Sequence, residues 1–276
     1  MSLADLPPLR EALERHDLMA RKSFGQHFLL DLNVTRKIAR LAQVNEGDTV
    51  VEVGPGPGGL TRALLETGAR VVAIEKDSRF LPLLAEVADV ADGRLQLVEG
   101  DALKVDAALA AGGPAHVVSN LPYNVGTQLL INWLTGPFRP LSMTLMFQKE
   151  VADRIVAQPD DDAYGRLAVI AQTLCEARTV MDLPAKAFTP PPKVASAVVR
   201  LVPKADPPLA EVVAALERVT AAAFGQRRKM LRSSLKALGG AALCERAGIS
   251  PDARAEVIDL AGFLALAGAV LDSPTA

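Results

Sequence analysis

In Thr49-Val-Val-Glu-Val-Gly54-Pro-Gly56-Pro-Gly58-Gly59 an apolar, strand-like run passes directly into a glycine turn, and helical spacing follows over Leu60 to Thr67. Such a strand–turn–helix junction is where an open α/β sheet binds its ligand. Outward from it, Arg70-Val-Val-Ala-Ile-Glu75, Leu95-Gln-Leu-Val-Glu99, Ala115-His-Val-Val-Ser119 and Ser142-Met-Thr-Leu-Met-Phe147 repeat the near-continuous apolar pattern of strands covered on both faces. Phe80 to Ala91 and Thr127 to Leu134 carry apolar residues at helical spacing between them. The alternation predicts βαβ units and a doubly wound α/β sheet.

Thr179 to Leu183 and Ser196 to Val202 are two further strands joined without a helix, which predicts an antiparallel pair at one edge of the sheet. Pro203-Lys-Ala-Asp-Pro-Pro208 can continue neither strand nor helix. The boundaries that follow are a ligand-binding α/β domain over 1–203, with 1–20 as an N-terminal extension, and a small all-helical domain over 209–276.

With 276 residues, 50% hydrophobic and 22% charged, the chain has the composition of an ordinary globular protein. Its two cysteines, Cys175 and Cys244, stand apart with no nearby histidine pair, so neither a disulfide framework nor a metal site is readable. The N-terminal residues lack the apolar core of a signal peptide. Leu260 to Leu271, the longest apolar run, is shorter than the roughly 18–20 residues a membrane span needs and reads as a buried helix. These features predict a cytoplasmic protein with no membrane contact. A net charge of -2 argues against an indiscriminate polycation.

The turn Gly54-Pro-Gly56-Pro-Gly58-Gly59 formally matches the dinucleotide fingerprint, but Pro55 and Pro57 have no N–H with which to hold a pyrophosphate. Glu52 adds a negative charge beside the turn. Few anion donors and a nearby carboxylate suit a cationic ligand, and S-adenosylmethionine, with its sulfonium and ammonium, is one. Glu75, about 20 residues past the turn, is where an acid accepts from ribose hydroxyls. Asp101, after the third strand, is placed to accept from the exocyclic amine of the cofactor's adenine.

Asn120-Leu121-Pro122-Tyr123 ends the fourth strand. Its residue types solve a chemical problem, because the exocyclic amine of adenine is a poor nucleophile whose lone pair is delocalised into the ring. The Asn120 side-chain oxygen and the Leu121 carbonyl would grip the two N–H groups and aim the lone pair. Pro122 removes a competing donor. Tyr123 would stack on the base, an interaction worth about 1–3 kcal/mol. The target must be single-stranded or flipped out of a helix.

Taken together, Lys22-Ser-Phe-Gly-Gln-His-Phe-Leu-Leu30, Glu52-Val-Gly-Pro-Gly56, Asn120-Leu-Pro-Tyr123, Phe188-Thr-Pro-Pro-Pro-Lys-Val194 and Phe224-Gly-Gln-Arg-Arg-Lys229 occur in the order seen in ribosomal RNA adenine N6,N6-dimethyltransferases. The chain resembles the KsgA type, which dimethylates two adjacent adenines near the 3' end of small-subunit rRNA. The resemblance implies a Rossmann-like class I methyltransferase sheet, S-adenosylmethionine as cofactor, and small-subunit rRNA or a pre-30S particle as partner. It implies that His27, Leu29 and Asn120 contact the cofactor, that Gly54 and Glu75 hold its methionine and ribose parts, and that Asp101 meets its adenine. Tyr123 and Phe188 would sandwich the target base. Ala195 stands where the family commonly has Asp.

Gln226 to Lys236 holds Arg227, Arg228, Lys229, Arg232 and Lys236 with no acid, on a helix whose Met230, Leu231 and Leu235 would pack inward and whose bases would meet phosphates. A second cluster comprises Arg21, Lys22, Arg36, Lys37 and Arg40. Three alternatives stand beside this reading: a large-subunit rRNA methyltransferase of the antibiotic-resistance type, a nicotinamide oxidoreductase, and a non-enzymatic ribosome-assembly factor. No oligomer interface is readable, and a monomer is the default.

Overall fold

The computed structural model describes residues 2–18 and 27–272. Nine strands are present among them: β1 Phe28–Leu29, β2 Thr49–Val53, β3 Arg70–Glu75, β4 Leu95–Glu99, β5 His116–Asn120, β6 Met143–Gln148, β7 Cys175–Leu183, β8 Phe188–Thr189 and β9 Ser196–Pro203. Seven form one sheet in the order β4-β3-β2-β5-β6-β9-β7. β2, β3, β4, β5 and β6 run parallel to their neighbours, and β9 pairs antiparallel with β6, from Met143 opposite Leu201 to Gln148 opposite Ser196. The doubly wound sheet and its reversed edge are thus as the strand patterns predict, with most ends shifted by at most a residue or two and β7 beginning four residues earlier, at Cys175. β2 and β3 are interior strands, each paired on both sides, and their Val50, Val51, Val71 and Val72 are fully buried. Their β-branched side chains fit a pleat covered on both faces.

Within the chain, Met1–Ala152 with Arg178–Val202 forms one compact unit, and Asp153–Ala177 with Pro203–Ala276 forms a second. One boundary between these units lies at Val202 and Pro203, beside the prolines, and 153–177, inside the span 1–203, groups with the second unit. Local composition hides this, because the apolar run of the helix Arg166–Leu174 reads like any sheet-covering helix. In the structure its Ala168 and Val169 pack with Ala215, Leu216 and Val219 of the helix Ala210–Gly225 and with Phe263 and Leu266 of the helix Leu260–Leu271. Tyr164, 1% exposed, donates its hydroxyl to the Ile258 carbonyl at 2.8 Å and meets Phe224 edge-on. The terminal helix has the bounds its apolar run predicts.

The first residues are more than an extension. In the helix Leu9–Arg15, Leu9, Ala12 and Leu13 are buried. Ala12, Leu13 and Leu18 cluster with Phe28, Phe80, Leu83 and Leu84. Buried Arg62 donates to the Pro7 carbonyl at 2.7 Å, and His16 bonds Glu86 at 2.7 Å. A second sheet of two strands pairs β1 with β8, setting Phe28 opposite Thr189 and Leu29 opposite Phe188.

Leu13→Ala, which leaves a cavity behind Phe28 and Phe80, is expected to cost roughly 2–5 kcal/mol in urea unfolding, and Leu13→Met less than about 1.5 kcal/mol.

Candidate active site

The glycine turn after β2 closes on itself. Gly54, Gly56 and Gly58 all have positive φ, a conformation that costs glycine nothing and other residues strain. Their N–H groups are already used: Gly54 donates to the Ile74 carbonyl at 2.9 Å, Gly56 to Glu75 Oε2 at 3.0 Å and Gly58 to the Pro55 carbonyl at 3.0 Å. Pro55 and Pro57 have none to give. From Gly54 to Gly58 every N–H is therefore absent or taken, so this turn cannot cradle a pyrophosphate as a dinucleotide site does. Gly59, which opens the helix Gly59–Glu66, fills a different need: a Cβ there would sit 2.9 Å from the Leu29 carbonyl oxygen and 2.9 Å from Leu9 Cδ1.

A pocket opens over this turn. Of the residues singled out in the sequence, His27, Leu29, Gly54, Glu75, Asn120, Leu121, Pro122 and Tyr123 all line it. Asp101 lines an adjoining pocket that shares Gly54, Glu75 and Pro122. Its Oδ2 accepts from Lys76 Nζ at 2.9 Å and its Oδ1 from the Leu103 N–H at 3.0 Å. The hydrogen bond from the Lys76 ammonium above all, with that from the Leu103 N–H, holds the Asp101 carboxyl below its ordinary range.

Phe188 is not brought to the pocket. It is 3% exposed and packs in the core with Leu29, Leu183 and Val198, because its place in the two-stranded sheet turns it inward. The ring beside Tyr123 is instead His27, at a centroid distance of 5.9 Å and 30° between planes. His27 Nδ1 lies 2.7 Å from the Pro190 carbonyl, and the Tyr123 hydroxyl lies 2.8 Å from Ser196 Oγ. Burial raises the Tyr123 hydroxyl above its usual range. Asn120, half-buried at the end of β5, has no side-chain hydrogen bond among the described residues, so its amide is available to a ligand.

Sequence reasoning missed several lining or supporting residues. Phe28 and Phe80 form an edge-to-face pair in the pocket wall, and Thr61 Oγ1 donates to Glu52 Oε2 at 2.7 Å. Phe28 lies inside a quoted motif, but Phe80 and Thr61 read as ordinary helix residues. Glu52 also behaves differently from a standing negative charge. It is 2% exposed, and burial pushes its carboxyl up to about 8, with Thr61 opposing and Glu75 reinforcing the shift. Without a cation it is therefore protonated at neutral pH. Burial raises Glu75 as well, against its bonds from the Asp77 and Gly56 N–H groups.

In the second unit, the basic stretch is not the helix expected of it. The helix Ala210–Gly225 stops first, and only Leu231–Ser234 is helical again. Leu231 and Leu235 are buried as expected, whereas Met230 is 39% exposed. Arg227 donates to the Asp162 carbonyl at 2.7 Å and meets Glu256 at 3.4 Å, and Arg232 meets Asp252 at 2.8 Å. Arg228, Lys229 and Lys236 are exposed with no ion pair among the described residues. Arg21 and Lys22 lie outside the described residues.

A doubly wound sheet with a reversed edge, a glycine turn without anion donors, two buried acids and a free amide at the end of β5 define a Rossmann-like S-adenosylmethionine-dependent methyltransferase. The family model described as ribosomal RNA adenine dimethylase matches residues 18–269. A Ribosomal RNA small subunit methyltransferase A of Caulobacter vibrioides is 95% identical over 253 residues, covering 92% of this chain and 98% of its own. The protein so named in Phenylobacterium zucineum is 74% identical, covering 98% of this chain and 95% of its own. Among solved structures, a dimethyladenosine transferase from Plasmodium falciparum aligns with a TM-score of 0.71 at 26% identity, covering 87% of this chain and 96% of its own. The 23S rRNA methyltransferase ErmE aligns at 0.69 and 26%, covering 89% and 100%. The chain belongs to the ribosomal RNA adenine dimethylase family, and it is an rRNA adenine dimethyltransferase with S-adenosylmethionine as its methyl donor.

Raised above its ordinary value, the Glu52 carboxyl holds a proton in the folded state that the unfolded chain gives up, so stability falls as pH climbs from about 4.5 towards 8. Glu52→Gln is expected to raise the melting temperature of the free protein, by more at pH 8 than at pH 5; equal effects at both would contradict the assignment.

Proposed function

We propose that the protein methylates the N6 amines of two adjacent adenines near the 3' end of small-subunit rRNA, during maturation of the small ribosomal subunit. The observation that carries the reading is the Asn120 amide, with no side-chain hydrogen bond among the described residues, beside an acid-lined turn with no free N–H from Gly54 to Gly58. The fold alone does not choose a subunit, since ErmE, named for 23S rRNA, shares it. The high identity to relatives named for the small subunit favours that substrate over large-subunit rRNA.

S-adenosylmethionine, when bound, supplies an electrophilic methyl group. The chain's own work is positioning, which supplies much of the rate in a displacement of this kind. Asn120 Oδ1 and the Leu121 carbonyl accept from the two N–H groups of the target adenine, favouring a pyramidal nitrogen. Tyr123, fixed at its hydroxyl by Ser196 and flanked by His27, offers a ring face to the base. Phe188 supports this wall from behind through Leu29 rather than stacking on the base. Glu75 holds the turn and presents its carboxylate to the ribose, and Asp101, set by Lys76, faces the cofactor's adenine. The methylated cationic nitrogen sheds its proton readily, so no strong base is needed.

All of these groups come from one chain, which suits a monomer, and a substrate of ribosomal RNA suits the cytoplasm. Among the described residues, no helix is long and apolar enough to cross a membrane. An assembly role is compatible with catalysis, but a silent factor leaves the arrangement at Asn120 without purpose.

Incubation with labelled S-adenosylmethionine and unmethylated small-subunit particles, followed by digestion, is expected to yield N6,N6-dimethyladenosine. Cofactor binding with no such product would sink the reading. Asn120→Ala is expected to lower kcat by about 10²-fold or more, with cofactor affinity changed far less. Arg228, Lys229 and Lys236, the bases left unpaired, are expected to face phosphates. Reversing all three to Glu should reduce the slope of log affinity against log salt by about 2, whereas Arg227→Ala should mainly lower stability.

A further inference from the structure

Glu52 and Glu75 line the pocket, and no Lys or Arg does so among the described residues. Glu75 spends its oxygens on the N–H groups of Gly56 and Asp77, at 3.0 and 2.8 Å. Glu52 accepts one hydrogen bond, from Thr61, and its Oε1 has no partner among the described residues. The groups that face it are Thr61 from the helix Gly59–Glu66 and Glu75 from β3, while His27, Asn120 and Tyr123 form other walls of the same pocket. Arg62, the residue after Thr61, turns instead to the Pro7 carbonyl. A buried carboxyl beside a second carboxyl, with no cation, is held in its neutral form.

Resting on the cofactor reading above, we propose that Glu52 is a specificity residue that ionises only as a cationic cofactor enters. Its O–H bond breaks, the proton passes to the solvent buffer, and the carboxylate left behind balances the charge of S-adenosylmethionine. Uptake of the methyl donor is thereby linked to proton release. A neutral adenosine compound gains nothing from Glu52, so the residue selects for charge where the glycine turn merely declines phosphate.

The burial that raises this carboxyl to about 8 leaves it almost fully protonated at pH 7, so about one proton is available to leave. Affinity for the donor then rises with pH below that value, by up to about tenfold per unit. Gln keeps an acceptor for Thr61 and the volume of the side chain, but cannot ionise.

The test is titration calorimetry of the full chain with S-adenosylmethionine at pH 7 in buffers of different ionisation enthalpy. Wild type is expected to release about one proton more than Glu52→Gln, the ligand's own amine giving the same background in both. Glu52→Gln is expected to bind the donor about tenfold or more weakly, while 5'-methylthioadenosine, which carries neither charge, binds both proteins equally. Thr61→Val, which removes the bond favouring the ionised form, should weaken donor binding while release persists. Normal donor binding with no excess release from wild type, or tighter donor binding by Thr61→Val, overturns the inference and leaves the cofactor reading intact. A wild-type protein that binds no S-adenosylmethionine overturns the cofactor reading itself.

Discussion

The site depends on one carboxylate. Glu75, at the end of β3, takes the Gly56 N–H with one oxygen and the Asp77 N–H with the other, and so ties the turn after β2 to the turn after β3. The constraint propagates in both directions. With Gly56 turned inward, and Gly54 and Gly58 bonded to Ile74 and Pro55, the turn has become a closed hydrogen-bonded unit rather than a cradle. A glycine turn usually serves ligands by its free N–H groups. Here the same residue type serves a different end, tight curvature and close approach of the Leu29 carbonyl to Gly59, while the charge facing the pocket is left to acids. A turn of this kind offers no N–H to the phosphates of a dinucleotide or of RNA, and keeps the cofactor position for a cation.

The rest of the pocket is assembled from distant segments by packing rather than by the sheet. β1 and β8 pair over only two residues each, yet they bring the His27 and Pro190 segments together beside Tyr123. The N-terminal helix then closes the same wall, because Leu13 and Leu18 pack on Phe28 and Phe80, and both aromatic rings line the pocket. So short a ladder carries little stability by itself. It holds because the residues flanking it belong to larger apolar clusters.

What was legible in the sequence follows from range. The alternation of strands and helices, the reversed edge and the glycine turn rest on local patterns, and the sheet reproduces them. Asn120, Tyr123 and Glu75 were legible because strand ends of a doubly wound sheet converge by topology. Phe188 was not, since its direction is set by pairing with Leu29, a partner far away in the chain. The span 1–203 takes in the helix Arg166–Leu174 for a similar reason: its apolar face fits either a sheet or a helical bundle, and its cluster with Val219 and Phe263 depends on long-range packing. The state of Glu52 was also out of reach, because a residue letter carries a charge and only burial says whether that charge is expressed.

The same reasoning governs the basic residues. A net charge of -2 and two basic clusters invite a count of positive side chains, but a count overstates what faces outward. Arg36 forms a two-bond pair with Glu66 at 2.7 and 2.8 Å, Arg227 is engaged by Asp162 and Glu256, and Arg232 meets Asp252. Exposed pairs of this sort add little to stability, yet a guanidinium so occupied is a poorer phosphate ligand, because an RNA must displace its partner first. The bases that remain, Lys37 and Arg40 in one unit and Arg228, Lys229 and Lys236 in the other, are exposed with no ion pair among the described residues. Such bases suit an enzyme that recognises a folded RNA by the base delivered to its pocket. Affinity drawn mainly from phosphates would instead hold every RNA alike.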